Sequence, residues 1–327
     1  MWTAIEWSKK KESEKSQAER KMETVIIKKK IENIVDKAFV RENEPMSEHT
    51  SFKAGGRADL FAEPQNTDQL RDLMQLLNEE SIQYMVLGNG SNVLVRDGGY
   101  RGVIVRLGEA FNYIKREGNS LICGSGTLMS AAARFAASEG LSGLEFASGI
   151  PGSIGGAVFM NAGAYGGEIV QVLKRARIIS KDGSREFSMT ADDLQMGYRH
   201  SVLHETGDVA VEAVFELQPA YIDEIKAAIA DFTERRNSKQ PVNYPSAGSF
   251  FKRPEGYFAG KLIQDAGFKG LSVGGAQVSE LHSGFIINKG TASASDILQL
   301  MEIVQAGVYD RFGVKLEPEV RIIGEEL

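Results

Sequence analysis

Apolar positions recur along the chain with two spacings. Leu70, Leu73, Met74 and Leu77 fall at i, i+3, i+4 and i+7, which predicts an amphipathic helix capped by Thr67. The short apolar runs Tyr84 to Leu87 and Gly102 to Leu107 read as strands. Leu128 to Glu139 is rich in alanine and predicts a helix that stops at Gly140. Ala176 to Ile179 and Val209 to Leu217 read as further strands. After Pro219, Ile222, Ile225, Ile229 and Phe232 predict the apolar face of a helix that ends before Pro241. A last helix opens near Ser295 and carries Ile297, Leu300, Met301, Val304 and Val308, and a strand from Glu319 to Ile323 closes the chain. Strands and helices mix without a strict βαβ repeat, so the expected class is α+β, with a domain break near Pro219.

The length, 327 residues, fits two or three domains. Against 38 Lys and Arg stand 44 Asp and Glu, a net charge of -6. That balance argues against nucleic acid as the main partner, because phosphate backbones are bound by clustered positive charge. No stretch reaches the ~20 apolar residues of a membrane span. Lys9 to Lys30 is dense in Lys and Glu and has no apolar centre, unlike a secretory leader. The chain therefore reads as cytoplasmic, with residues 1–30 a solvated helix or frayed extension and structure beginning near Ile31. Cys123 is the single cysteine, which excludes an intrachain disulfide or a multi-cysteine cluster. His49, His200, His204 and His282 form no recognisable ligand set, so no metal is expected.

Glycine is abundant: 35 of 327 residues, about 11 % against the usual ~7 %. It concentrates in two places, Leu87-Gly88-Asn89-Gly90-Ser91-Asn92 and the longer run from Gly149 to Gly167. Bare backbone of this kind approaches a ligand closely and presents consecutive N–H groups, which suits a diphosphate. The first run reads equally well as a tight turn. The familiar nucleotide fingerprints are missing. Val93 stands where a G-x-G-x-x-G motif needs its third glycine, and no phosphate loop ending in Gly-Lys-Ser/Thr occurs. Neither is there a G-x-S-x-G elbow of a serine hydrolase.

Three polar spots carry candidate chemistry. Gly197-Tyr198-Arg199-His200-Ser201 places a guanidinium, a planar fork for carboxylate or phosphate, beside an aromatic ring. Ser246-Ala247-Gly248-Ser249-Phe250-Phe251-Lys252 sets a serine on a turn of small residues. Leu316-Glu317-Pro318-Glu319-Val320 sets a carboxylate at the start of the last strand. Taken singly, each also reads as an ordinary turn or surface ion pair.

With these stretches and Thr50-Ser51-Phe52-Lys53-Ala54-Gly55-Gly56-Arg57-Ala58-Asp59, the sequence closely resembles the UDP-N-acetylenolpyruvoylglucosamine reductases, the MurB family of peptidoglycan synthesis, in the shorter type II form. Six motifs in order span roughly residues 38–325. The resemblance implies an α+β protein with a two-part FAD-binding module of the vanillyl-alcohol-oxidase-like type and a C-terminal α+β substrate domain. It implies FAD-binding subdomains at 31–107, joined by the C-terminal strand 313–327, and at 108–218, with the UDP-sugar domain at 219–312. It further implies reduction of UDP-N-acetylglucosamine enolpyruvate to UDP-N-acetylmuramate with NADPH as hydride donor. By the same resemblance, Arg199 and Glu319 stabilise the substrate carboxylate and the developing enolate, and Ser249 donates the proton. Arg57, Gly88, Asn89, Gly90, Ser91, Asn92, Gly152, Ser153, Gly155, Gly156 and Ala157 hold FAD. Tyr198, Lys252, His282 and Asn288 contact substrate. Two other readings remain open. A flavin oxidase on the same scaffold differs in needing oxygen, and a non-catalytic nucleotide-sugar or flavin binder differs in showing no turnover.

Overall fold

The computed structural model describes residues 22–327. Residues 22–31 are helical, so structure begins earlier than Ile31, and the helix ends on the buried Ile31. The charged opening before residue 22 lies outside the described residues. The α+β class holds, with the strands gathered in small sheets.

The first sheet contains β1 (Val40–Pro45), β2 (Arg57–Ala62), β3 (Tyr84–Leu87) and β5 (Tyr100–Arg106), in the order β1-β2-β5-β3. β1 runs antiparallel to β2, and both β2 and β3 run parallel to β5. Between β2 and β3 the chain forms α1 (Thr67–Glu79), whose Leu70, Leu73, Met74 and Leu77 are all buried, as their spacing predicts. The cap, however, is Asn66. Its side chain accepts from Gln69 N at 2.9 Å while Thr67 is already the first helical residue. β4 (Val93–Val95) follows the first glycine run.

A second, antiparallel sheet has the order β9-β8-β10-β7-β6, built from β6 (Ile114–Glu117), β7 (Ser120–Gly124), β8 (Leu173–Ile179), β9 (Glu186–Thr190) and β10 (Val209–Glu216). α2 (Met129–Ser138) shares a core cluster with this sheet. Its Ala132, Ala133 and Ala136 lie with Leu121, Cys123, Ala213 and Phe215, small side chains that let a helix come close. α3 (Ile154–Met160) emerges from the second glycine run.

α4 (Ile222–Lys239) departs from expectation. Of the four residues predicted to form its apolar face, only Ile225 is buried, and Ile222 is 41 % exposed. Phe232 instead stacks on Tyr165 of the glycine run, with centroids 4.9 Å apart and planes within 5°. Later elements that bear on the site are α5 (Ala259–Asp265), a small antiparallel sheet of β11 (Ser272–Val273), β12 (Ala276–Val278) and β13 (Ile286–Asn288), the long α6 (Ala294–Phe312), and β14 (Arg321–Ile323). α6 opens at Ala294, one residue before Ser295. Ser293 and Asp296 form a reciprocal capping box, and Asp97 reaches over from after β4 to accept from Ala294 N and Ser295 N at 2.9 and 2.7 Å. The apolar cluster under α6 likewise takes in Phe52, Ala54 and Leu94 from the first third of the chain.

β14 starts at Arg321, not Glu319, and runs parallel to β4. Residues 317–319 are occupied elsewhere. Lys252 N donates to Glu317 O and Glu319 N donates to Phe250 O, each at 2.8 Å. These two bonds lay the Ser249 segment against the Glu319 segment. No helix among the described residues is long and apolar enough to cross a membrane.

Asn288 is a clamp between distant parts of the chain. It is buried, donates to Phe52 O at 2.9 Å, and accepts from Gly290 N at 2.7 Å and Ala292 N at 3.0 Å. An Asn288→Ala substitution strands those backbone groups and is expected to cost about 3 kcal/mol in urea unfolding. A substrate ligand would behave oppositely, raising KM with stability unchanged, and that result would return Asn288 to the substrate site.

Candidate active site

A single cleft of about 480 Å³ runs between the two glycine loops and the C-terminal segments. That volume lies in the range of small-molecule and cofactor sites. Its wall includes Gly88 to Asn92 on one side and Gly152, Ser153, Gly155, Gly156 and Ala157 on the other. The loops are tied to each other by Asn89 Nδ2, which donates to Pro151 O at 2.6 Å. Gly90 has φ +62, and a Cβ there would sit 1.9 Å from His49 O, so the position needs glycine on both counts. Gly88 is less constrained: its Cβ would lie 2.2 Å from Ser153 Oγ, a side-chain hydroxyl that would have to turn away.

Two buried hydroxyls in this wall, Ser125 Oγ and Ser153 Oγ, have no hydrogen-bond partner. Buried polar atoms are nearly always satisfied, so an unpaired pair beside bare backbone calls for a ligand with acceptor oxygens. The cleft also holds two guanidinium groups with no acidic partner among the described residues, Arg236 and Arg321. Burial pushes both below the usual arginine range. Arg321 lies over the Phe159 ring at 4.7 Å, and Arg236 packs against Gly149. A chain of net charge -6 thus concentrates positive charge inside one cleft.

Arg199, Ser249 and Glu319 all line this cleft. Arg199 sits on a tight turn closed by reciprocal bonds between Gly197 and His200, at 3.0 and 3.2 Å, and adopts φ +55. A non-glycine residue in that region is held there at a cost, of the kind found at functional positions. The turn hangs from the end of α3 through Asn161, whose Nδ2 donates to Gly197 O at 3.0 Å. Arg199 Nε donates to Glu319 Oε1 at 2.7 Å and Nη2 to Gly163 O at 3.2 Å. Among the described residues, none donates a hydrogen bond to Glu319 Oε2. Burial raises the Glu319 carboxyl above its ordinary value, and it outweighs the opposing pull of Arg199 and the weaker one of Lys252. Ser249 is solvent-exposed, between Gly248 at φ +77 and the fully buried Phe250.

The other expected residues are not in the cleft wall. Arg57 is exposed, and its Nη1 donates to Asn43 O at 2.6 Å across the β1–β2 pair. Asn288 is the clamp already described. Tyr198 lies 5.0 Å beneath the Arg199 guanidinium, and its hydroxyl accepts from Arg253 N at 3.2 Å. Lys252 pairs with Glu317 at 3.6 Å. His282 Nδ1 accepts from Gly284 N at 3.1 Å, and burial lowers its pKa. Sequence reasoning missed Ser125, Arg236 and Arg321. Ser125 follows β7 in a polar-looking Gly-Ser-Gly, while Arg236 sits in a charged helix and Arg321 on a strand, where arginine is commonplace.

Comparison with known proteins finds two matching families along the chain. A family described as "UDP-N-acetylenolpyruvoylglucosamine reductase, C-terminal domain" matches residues 240–323, and one described as "FAD binding domain" matches residues 58–186. The UDP-N-acetylenolpyruvoylglucosamine reductase of Clostridium novyi is 50 % identical over 305 residues, covering 93 % of this chain and 99 % of the relative. Its counterpart in Clostridium botulinum is 53 % identical over 298 residues, covering 90 % and 96 %. The crystal structure of the Thermus caldophilus reductase superposes with a TM-score of 0.76 at 34 % identity, over 87 % of this chain and 99 % of that one.

Proposed function

The chain belongs to the UDP-N-acetylenolpyruvoylglucosamine reductase family, and from that premise we propose that its cleft binds FAD and UDP-N-acetylglucosamine enolpyruvate, with NADPH as the reductant. The protein is an FAD-dependent oxidoreductase that reduces the enolpyruvyl C=C to the lactyl ether of UDP-N-acetylmuramate. Residues 219–312 carry most of the sugar-nucleotide contacts on this reading, and the reaction takes place in the cytoplasm. The observation that supports it most directly is the meeting of Arg199, Ser249 and Glu319, from three separated segments, in a cleft walled by two glycine loops.

The residues present fit FAD. Ser125 Oγ and Ser153 Oγ, with the backbone N–H groups around Gly88–Asn92 and that of Gly156, would take its diphosphate, and Arg236 and Arg321 add charge along the same cleft. When bound, FAD carries hydride from NADPH to the terminal carbon of the enolpyruvyl group. The chain's own residues handle the charge and the proton. Negative charge develops on the substrate carbon next to the carboxylate and spreads into it. Arg199 offers a fixed cation there, an interaction stronger in the transition state than in the ground state. Glu319 holds Arg199 through Oε1. With a proton on Oε2 it also donates a hydrogen bond to the enolate, and the raised pKa favours that form. Ser249 Oγ gives its proton to the carbanion, completing addition of H⁻ and H⁺ across the double bond, and its exposure lets solvent restore the proton.

Purified protein is expected to be yellow, to bleach anaerobically with NADPH, and to recover its colour on adding the enolpyruvyl substrate. Protein that takes up no FAD would refute the reading. A requirement for oxygen would indicate an oxidase, and stable bleaching with substrate present would indicate a binder.

A further inference from the structure

His49 lies under the first glycine loop, and the mechanism leaves it unused. Its side chain is 8 % exposed and stacks on Phe61 with centroids 4.2 Å apart. Both ring nitrogens are engaged. Nε2 donates to Glu44 Oε1 at 2.7 Å, and Nδ1 faces Arg106 Nη1 at 3.1 Å. A guanidinium only donates, so Nδ1 is the acceptor and the imidazole is the neutral Nε2–H tautomer. The circuit closes through two more residues. Arg41 bonds Glu44 at 3.0 Å and Glu63 at 2.7 Å, and Arg106 Nε lies 3.8 Å from Glu63. Among the described residues the charged groups facing this ring are therefore Glu44 and Arg41 from β1, Arg106 from β5, and Glu63 just after β2.

The backbone of this residue props the loop. His49 O occupies the space a Cβ on Gly90 would fill, and Ser51 N donates to Gly90 O at 3.1 Å. From Gly90 the loop continues to the second glycine run through Asn89 and Pro151 O. It reaches the Glu319 backbone through Asn92 Nδ2, which donates to Glu319 O at 3.0 Å. We infer that His49 is a positioning residue: as acceptor for Arg106 and donor to Glu44 it anchors the segment whose backbone holds Gly88–Asn92 in the shape that receives FAD.

The inference rests on the FAD reading, and its test separates the two. Apoprotein is titrated with FAD at pH 8, following flavin fluorescence. His49→Gln supplies an acceptor to Arg106 and a donor to Glu44, so its Kd is expected to stay within about twofold of wild type. His49→Leu fills the space without either bond, and its Kd is expected to rise about tenfold. Equal Kd values for the Gln and Leu proteins would overturn the role of His49. In ¹⁵N-histidine apoprotein the His49 signal must show an unprotonated Nδ1 at pH 8, and a protonated Nδ1 would also overturn it. Failure of wild-type protein to bind FAD would instead remove the cofactor reading itself.

Discussion

Ser249→Ala protein is expected to bleach with NADPH at close to the wild-type rate and to form product about 10³-fold more slowly. The two half-reactions make different demands. Flavin reduction needs the cofactor, the dinucleotide and the charge lining the cleft, and Ser249 Oγ contributes to none of these. Protonation of the carbanion needs a donor placed over one substrate carbon. Ser249 is held in the cleft wall by neighbours on both sides: Gly248 at φ +77, and Phe250, whose N–H donates to Gly284 O and whose carbonyl accepts from Glu319 N, each at 2.8 Å. Removing the hydroxyl disturbs none of those bonds, so the alanine protein keeps its fold and its colour. Ser249→Cys restores a donor and should recover part of the rate. Rapid-mixing absorbance reads both steps, and an equal loss in each would take the proton-donor role away from Ser249.

What could be read in advance follows from the physics of each signal. Periodic burial is a local property, so α1 and β3 were predicted almost to the residue. Caps are less legible. Asn66 and Thr67 are both good capping types, and only the backbone turn at φ -163 decides between them. The α4 pattern misleads because isoleucines at helical spacing normally mean a core face. Here the helix lies over the glycine run, with Phe232 on Tyr165 and Arg236 beside Gly149, and its remaining apolar side chains are left half covered.

The glycine loops stood out in sequence by composition, whereas Arg199, Ser249 and Glu319, each also readable as an ordinary turn or surface ion pair, took their roles from the family resemblance. Nothing in the spacing brings them together. The contacts that do so span 120 residues between Arg199 and Glu319, and 227 between Asn92 and Glu319. Conversely, Asn288 and Arg57 were expected as ligands through the family resemblance. Asn288 proves to be satisfied entirely by backbone groups, and Arg57 bonds a backbone carbonyl outside the cleft wall. Arg236 and Arg321 were invisible for the opposite reason: an arginine on a helix or strand becomes informative only when it is seen to line a cleft without an acid beside it.

The second large effect concerns Glu319, where activity and stability are expected to move in opposite directions. Truncation in Glu319→Ala removes both the donor from Oε2 and the acceptor that orients Arg199, and product formation should fall about 10²–10³-fold. Glu319→Gln keeps an acceptor for Arg199 Nε and an N–H donor in place of the protonated oxygen, so it should retain more rate than the alanine protein. The pH profiles then decide the protonation state. The folded-state pKa of Glu319 is raised, with burial as the largest cause. The folded protein therefore binds this proton more tightly than the unfolded chain does. Stability is gained at low pH and is lost as pH rises from the unfolded-state value through the folded one. Glu319→Gln carries no such charge, so its apoprotein should melt at a higher temperature than wild type at neutral pH, and the difference should shrink under acid conditions. The rate has the same sign. If the acid form is the working form, wild-type product formation declines as pH rises through the Glu319 pKa, while the Gln variant shows no decline from this group. A wild-type rate that climbs as Glu319 ionises would mean the carboxylate acts only as the anion that holds Arg199. In that case the enolate is stabilised by the guanidinium alone.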